Sequence, residues 1–189
     1  LWDFMAKWSR EWNQVQDAWW WNTAALPISH SIAGDLCRPS VKACVWLGDA
    51  DCYRCQDDAL WDESMHNAAA RLSARCVREK RPSGHSVNGH AAVFKALERG
   101  GVTPFNLLPI PNTDSTTSAG SHGHGAGTPM PLAEWWIRYI SRPDDVVADW
   151  FCGSGTMAVA AMRLGRRFIG VAKMPKYFDV ACQRVQAEL

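Results

Sequence analysis

Residues 146–171 constrain the fold more tightly than any other stretch of the chain. Val146–Phe151 reads as a short apolar strand, Gly153 and Gly155 as a turn, Thr156–Leu164 as an apolar helix and Phe168–Val171 as a second strand. The first strand carries Asp149 and Phe151 to the turn. Gly153 and Gly155 permit positive φ or a close backbone approach. A helix starting near Thr156 points its free N–H groups at whatever occupies the turn. In an open α/β sheet, ligands bind beyond the carboxyl ends of the strands. The stretch therefore predicts a β–α–β unit with a binding turn, and a ligand-free β–α turn is the plain alternative.

The remaining segments extend this pattern. Leu1, Phe4, Met5, Trp8, Trp12 and Val15 recur at helical spacing, which predicts an amphipathic helix over 1–15. Trp19–Trp21 reads as the end of a strand and Lys42–Leu47 as a buried strand. A helix is expected over 62–80, with Met65, Ala69, Leu72 and Cys76 on one side. A short strand follows at Phe105–Ile110, then a Ser/Thr/Gly-rich loop over 112–127. Helices are expected at Pro131–Ile140, stopped before Arg142-Pro143, and at Lys176–Glu188. Alternating strands and helices imply an α/β fold: three layers, doubly wound, with a mainly parallel sheet. The strands ending near Asp149 and Ala172 should be neighbours joined by a right-handed crossover, with the early strands on the other side of the Asp149 strand.

With 189 residues the chain is long enough for one domain with a substantial core. A net charge of +1 gives no global field for nucleic acid, but charge is concentrated locally. Arg71, Arg75, Arg78, Lys80, Arg81, Lys95 and Arg99 stand against Glu79 and Glu98 in one segment. Such a cluster suits phosphates, or is simply a solvated helix face. Seven scattered cysteines, an odd number, argue against a secreted disulfide framework. Cys52 and Cys55 have zinc-ligand spacing but no second clean pair follows, so free thiols and no metal are expected. No apolar run approaches the length of a membrane span, and the charges of residues 1–16 do not suit a signal peptide.

The wording of the turn is narrower than a generic glycine loop. Asp149-x-Phe151-x-Gly153-Ser154-Gly155-Thr156, then Ala160-Ala161-x-Arg163 through Gly170, then Pro175-x-Tyr177-Phe178-x-x-Ala181, resembles the S-adenosylmethionine-binding segment of DNA amino-methyltransferases. That family methylates adenine N6 or cytosine N4. His124, Pro129 and Leu132 are similar to the family's His-Pro-x-x-x-Pro-x-x-Leu segment, with Gly125 in place of a proline. A looser likeness joins Asn22, Pro27, Ser29, Asp35, Arg38 and Cys44–Gly48 to the family's Asn-x-x-Pro-x-Ser…Asp-Arg…Phe-Leu segment.

The resemblance implies a Rossmann-like methyltransferase fold. It implies S-adenosylmethionine contacts from Asp149, Phe151, Cys152, Gly153, Ser154, Gly155 and Thr156, with Thr128 and Pro129 near the methionine end. The implied partner is double-stranded DNA, with Arg71, Arg75, Arg78, Lys80 and Arg81 as candidate phosphate contacts and 83–90 as a candidate target-recognition loop. The implied setting is restriction–modification in the cytoplasm of a bacterial, archaeal or phage-infected cell. Within one methyltransferase-type domain over 1–189, residues 1–60 read as a remnant of the catalytic half. Residues 61–120 read as a recognition insert and loop, and 121–189 as the cofactor-binding half. Six of the eleven tryptophans fall within the first 21 residues, packing on the sheet or, alternatively, lining a base pocket.

Three departures shape what is expected of function. The family's catalytic tetrapeptide, a polar residue, Pro-Pro and an aromatic, is absent: no Pro-Pro occurs in the chain. No catalytic residue is therefore assigned, and the sheet is expected to lack the strand that carries that motif. An N-terminally incomplete chain is expected, its sheet completed by an upstream segment or a second chain. Ala172 and Met174 replace polar residues at the end of the second strand, the first of them the family's ribose-binding Glu. Losing a charged acceptor would weaken binding about ten- to a hundredfold. Trp150 stands where the family has proline. These departures keep open an alternative reading, a degenerate non-catalytic nucleic-acid-binding or accessory protein.

Overall fold

The computed structural model describes residues 6–7, 13–22, 40–49, 51–60, 98–101, 103–104, 106–112 and 127–189. The chain divides into two compact units, one of residues 1–54 and 106–189 and the other of Cys55–Phe105.

In the first unit, β1 (Gln14–Trp21) is the centre of a three-stranded sheet. It pairs antiparallel with β2 (Val41–Leu47) and parallel with β3 (Leu107–Pro109). Period-2 alternation buries Ala18 and Trp20 and leaves Trp21 partly exposed. The buried indole of Trp20 donates to the Ile110 carbonyl at 2.8 Å, which satisfies its one polar atom. Lys42, directly across the ladder, holds its ammonium 4.8 Å from the centre of that ring. Pro109 is tolerated because β3 is an edge strand. Leu108 beside it is fully buried.

The second sheet is the parallel pair β4 (Val146–Asp149) and β5 (Arg167–Gly170). Three helices accompany it: α1 (Met130–Ile140), α2 (Thr156–Arg163) and α3 (Pro175–Gln186). Proline in the first turn of α1 and of α3 suits positions whose N–H has no intrahelical partner. Ala133 and Ile137 of α1 meet Ala160 and Ala161 of α2, and Val147 and Phe168 pack on this cluster from the strands. Small side chains at the contact let the helices approach closely.

Arg166 locks the cluster. It is 8% exposed and lies where two helices end, with Ser141 capping α1 and Leu164 capping α2. Its guanidinium donates to the Ser141 carbonyl (2.7 Å), the Ser141 hydroxyl (3.2 Å) and the Leu164 carbonyl (2.5 Å). No carboxylate pairs with it among the described residues. The negative ends of two helix dipoles serve in place of a counter-ion.

The strands at 19–21, 42–47, 107–109, 146–149 and 167–170 and the three helices fall where the sequence predicts them. The end of the helix expected over 1–15 is corrected, while 1–5 and 8–12 lie outside the described residues. Ala6 and Lys7 are helical, but β1 has begun by Gln14. Pairing with β2 outweighs the helical spacing of Val15. The sheet is also less uniform than expected, since its longest pairing is antiparallel. An antiparallel edge strand on a mixed sheet is a common arrangement. Among the described residues the early strands and β4–β5 form separate ladders, with no strand between them. On the face opposite Val147 and Phe168, Val146 and Ile169 remain about half exposed, so the third layer is not seen among the described residues. The helix expected over 62–80 lies outside the described residues, as does 113–126 of the expected loop.

In the second unit, a short 3₁₀ turn, Asp57–Ala59, buries Ala59. Arg99 donates through Nε to Asp57 Oδ1 at 2.9 Å and through Nη1 to Thr103 Oγ1 at 3.2 Å. One member of the basic segment is thereby engaged within its own unit.

Replacing Arg166 with Met should cost about 2–4 kcal/mol, because two buried acceptors and one part-buried one lose their donor together. The exposed neighbour Arg167, replaced in the same way, should cost about 0.5 kcal/mol or less. Urea denaturation of the two variants measures the difference.

Candidate functional site

The turn after β4 is built by two left-handed glycines in three residues: φ is +50° at Gly153 and +83° at Gly155. The Gly155 N–H donates to the Cys152 carbonyl at 2.8 Å and closes the turn. The β4–β5 ladder continues past the strand ends, Val171 N to Asp149 O (2.9 Å) and Cys152 N to Val171 O (3.0 Å), which fixes the start of the turn. Asp149 Oδ1 accepts the Phe151 N–H at 2.9 Å. Its structural role as a turn residue is therefore real, and it does not exclude a second role.

A Cβ at Gly155 would lie 2.8 Å from Ala181 Cβ and 3.0 Å from Ala181 Cα. Helix α3 thus presses directly on the turn. Arg184, one helical turn beyond Ala181, donates through Nη1 to the Ser154 carbonyl at 2.7 Å and to Thr156 Oγ1 at 3.3 Å. Gly155 caps α2 without any side-chain hydrogen bond, so the first-turn N–H groups of α2 are left for water or a ligand.

At the carboxyl end of β4 a cleft of about 60 Å³ is lined by Gly127, Thr128, Asp149, Phe151, Cys152, Gly153, Ser154, Thr156 and Met157. Thr128 precedes α1, so the cleft joins the start of one helix to the start of another. Asp149 is the only carboxylate among its lining residues. Phe151 is 92% exposed, an aromatic face held in water at the mouth. Burial pushes the Cys152 thiol up, and Asp149 and Cys182 nearby add to the effect. The shift favours the neutral thiol over the thiolate.

Seven of the nine residues proposed for the cofactor come together on this cleft: Asp149, Phe151, Cys152, Gly153, Ser154, Thr156 and Thr128. The other two stand behind it. Gly155 packs on α3, and Pro129 is fully buried at the start of α1, where its carbonyl accepts from Leu132 and Ala133. Sequence reasoning missed Met157 and Arg184. The spacing of 181 and 184 puts both on one side of a helix but does not by itself show what Arg184 reaches. Arg71, Arg75, Arg78, Lys80 and Arg81 lie outside the described residues, as does His124. Among the described residues, no three His, Cys, Asp or Glu side chains gather as metal ligands, and no helix is long and apolar enough to cross a membrane.

A family model for DNA methylase matches residues 2–183. The chain belongs to the DNA methylase family. Among curated relatives, Type II methyltransferase M.PvuII of Proteus hauseri is 36% identical over 111 residues, 55% of this chain and 32% of that protein. Type II methyltransferase M.BglI of Bacillus subtilis is 41% identical over 63 residues, 33% of this chain and 18% of that protein. The matches thus span about a third or less of those relatives' lengths. The solved PvuII DNA methyltransferase, described as cytosine-N4-specific, superposes with a TM-score of 0.64 at 20% identity, covering 97% of this chain and 55% of that one. The M1.HpyAVI–SAM complex superposes with a TM-score of 0.59 at 17% identity, covering 97% and 68%. The methylase fold of this family is Rossmann-like, as the resemblance implied.

Gly155→Ala should cost about 2–5 kcal/mol, combining the left-handed φ with the collision at Ala181. In an Ala181→Gly background the cost should fall by about 1 kcal/mol or more but stay above the contribution of φ, because the backbone Cα of residue 181 still lies 3.0 Å from the added Cβ. Denaturant midpoints of the four proteins test this cycle.

Proposed function

We propose that the chain carries the cofactor-binding half of a site-specific DNA methyltransferase that uses S-adenosylmethionine and modifies adenine N6 or cytosine N4. One observation carries the reading: the Asp149–Thr156 turn opens a cleft at the carboxyl end of β4, where ligands of α/β sheets bind.

The residues present suit much of such a ligand. The uncapped start of α2 offers N–H donors, Asp149 offers an acceptor, and Phe151 offers a flat apolar face. The ribose side is poorer, since β5 leads into Val171-Ala172 with no carboxylate. The bound cofactor supplies an electrophilic methyl on a sulfonium. Held by the start of α2, Asp149 and Phe151, that methyl would be available to the exocyclic amine of a flipped base. This chain's share is to hold and orient the ligand, which supplies rate by proximity. The Pro-Pro-aromatic motif that would hold the base is absent from these residues, so a further segment or a second chain would provide it and complete the sheet beside β4.

Arg71, Arg75, Arg78, Lys80 and Arg81 are assigned to the phosphates of double-stranded DNA. Each contact removed should reduce the salt slope of DNA binding by about 0.9. Bacterial, archaeal or phage-infected cytoplasm, within restriction–modification, is the proposed setting. A second reading, a non-catalytic DNA-binding protein, is favoured by Ala172 and by the absent Pro-Pro motif.

Calorimetric titration with S-adenosylhomocysteine should show saturable binding, and Phe151→Ala should weaken it about two- to tenfold. Because Phe151 is 92% exposed, the same variant should unfold within about 0.5 kcal/mol of the parent. Salt-sensitive DNA retention with no nucleoside binding would favour the second reading.

A further inference from the structure

We propose that Arg184 is a positioning residue for the bound nucleoside ligand, acting through Thr156. The inference rests on the methyltransferase reading above and extends it to a residue outside the cleft wall.

Arginine donates and never accepts. One nitrogen of Arg184, Nη1, faces the Ser154 carbonyl at 2.7 Å, Thr156 Oγ1 at 3.3 Å and Ser154 Oγ at 3.5 Å. Its two protons are divided between the carbonyl, which takes the short bond, and the hydroxyls. The Thr156 oxygen is therefore an acceptor toward α3, and its own proton must point elsewhere. Thr156 is half-buried, is the first residue of α2 and lines the cleft. Arg184 thereby turns the Thr156 hydroxyl into an oriented donor at the place where α2 also presents its uncapped N–H groups. The same nitrogen also donates to the Ser154 carbonyl, so the peptide between the two glycines keeps a fixed orientation.

A residue that served stability alone would behave differently. Its loss would lower the melting temperature, leave ligand affinity intact in the folded protein, and combine independently with changes at Thr156. Coupling between positions 184 and 156 in ligand affinity separates the two roles.

The test is a cycle of Arg184→Met, Thr156→Val and the double variant, titrated with S-adenosylhomocysteine and followed by thermal melting. Each single change should raise Kd roughly three- to tenfold, the range of one lost hydrogen bond. The double variant should be no weaker than the weaker single one, and Arg184→Lys should recover part of the loss. Wild-type affinity in folded Arg184→Met, or losses that multiply in the double variant, would overturn the proposal. Should Arg184→Met not fold, Thr156→Ser against Thr156→Val decides: serine should keep affinity and valine lose it, and valine binding as wild type would overturn the assignment. Absence of binding by the parent chain would instead refute the methyltransferase reading on which the inference stands.

Discussion

The contact between Gly155 and Ala181 sets the geometry on which the cleft depends. Neither partner tolerates much enlargement, because the missing Cβ of Gly155 would fall within 3.0 Å of both the Cβ and the Cα of Ala181. The left-handed φ of Gly155 turns the chain into α2, and the absent side chain lets α3 lie against that turn. Once α3 is seated there, Arg184 comes within reach of the Ser154 carbonyl. At the far end, Glu188 accepts from Arg163 of α2 at 2.9 Å, and this pairing holds the Glu188 carboxyl below its usual range. Helix α3 contributes nothing to the cleft lining, yet it braces the turn from behind.

The opposite wall depends on α1. Gly127 and Thr128, which lead into it, line the cleft, and its last turn is held by Arg166. A cation buried without a carboxylate would be costly in most surroundings. Here three neutral acceptors at two helix ends satisfy it. The arrangement ties the end of α1 to the chain between α2 and β5, so the two walls are joined through one side chain. The alanine contacts between α1 and α2 then fix the spacing of those walls.

Much of this was legible in the sequence where one local pattern determines one element. The Gly-x-Gly turn, the proline-led helices and the strands on either side of α2 were all readable from spacing and turn chemistry. The start of β1 was not, because Val15 fits a helical stripe until pairing with β2 is taken into account. Arg184 was hidden for a different reason. On a helix whose buried set is Ala181 alone, an arginine three residues later looks like one more solvated charge. Only the close approach at Gly155, which is a tertiary fact, brings it to the turn. Ser154 and Thr156 were recognised from the motif, but the motif is silent about what stands behind them.

On the proposed reading, the cleft would hold its nucleoside ligand through few contacts. At about 60 Å³ it is small beside the several hundred Å³ common for ligand sites. Its donors are largely backbone groups set by two glycines, and its lining includes a single carboxylate. With Ala172 beyond β5, nothing on that side replaces the missing acid. Affinity must then come from contacts that are already in place before the ligand arrives, because ordering them during binding would consume much of a small gain. Preorganisation is what the Gly155–Ala181 contact and the Arg184 bonds supply. The fewer the contacts to the ligand, the larger the share of binding that depends on residues that never touch it.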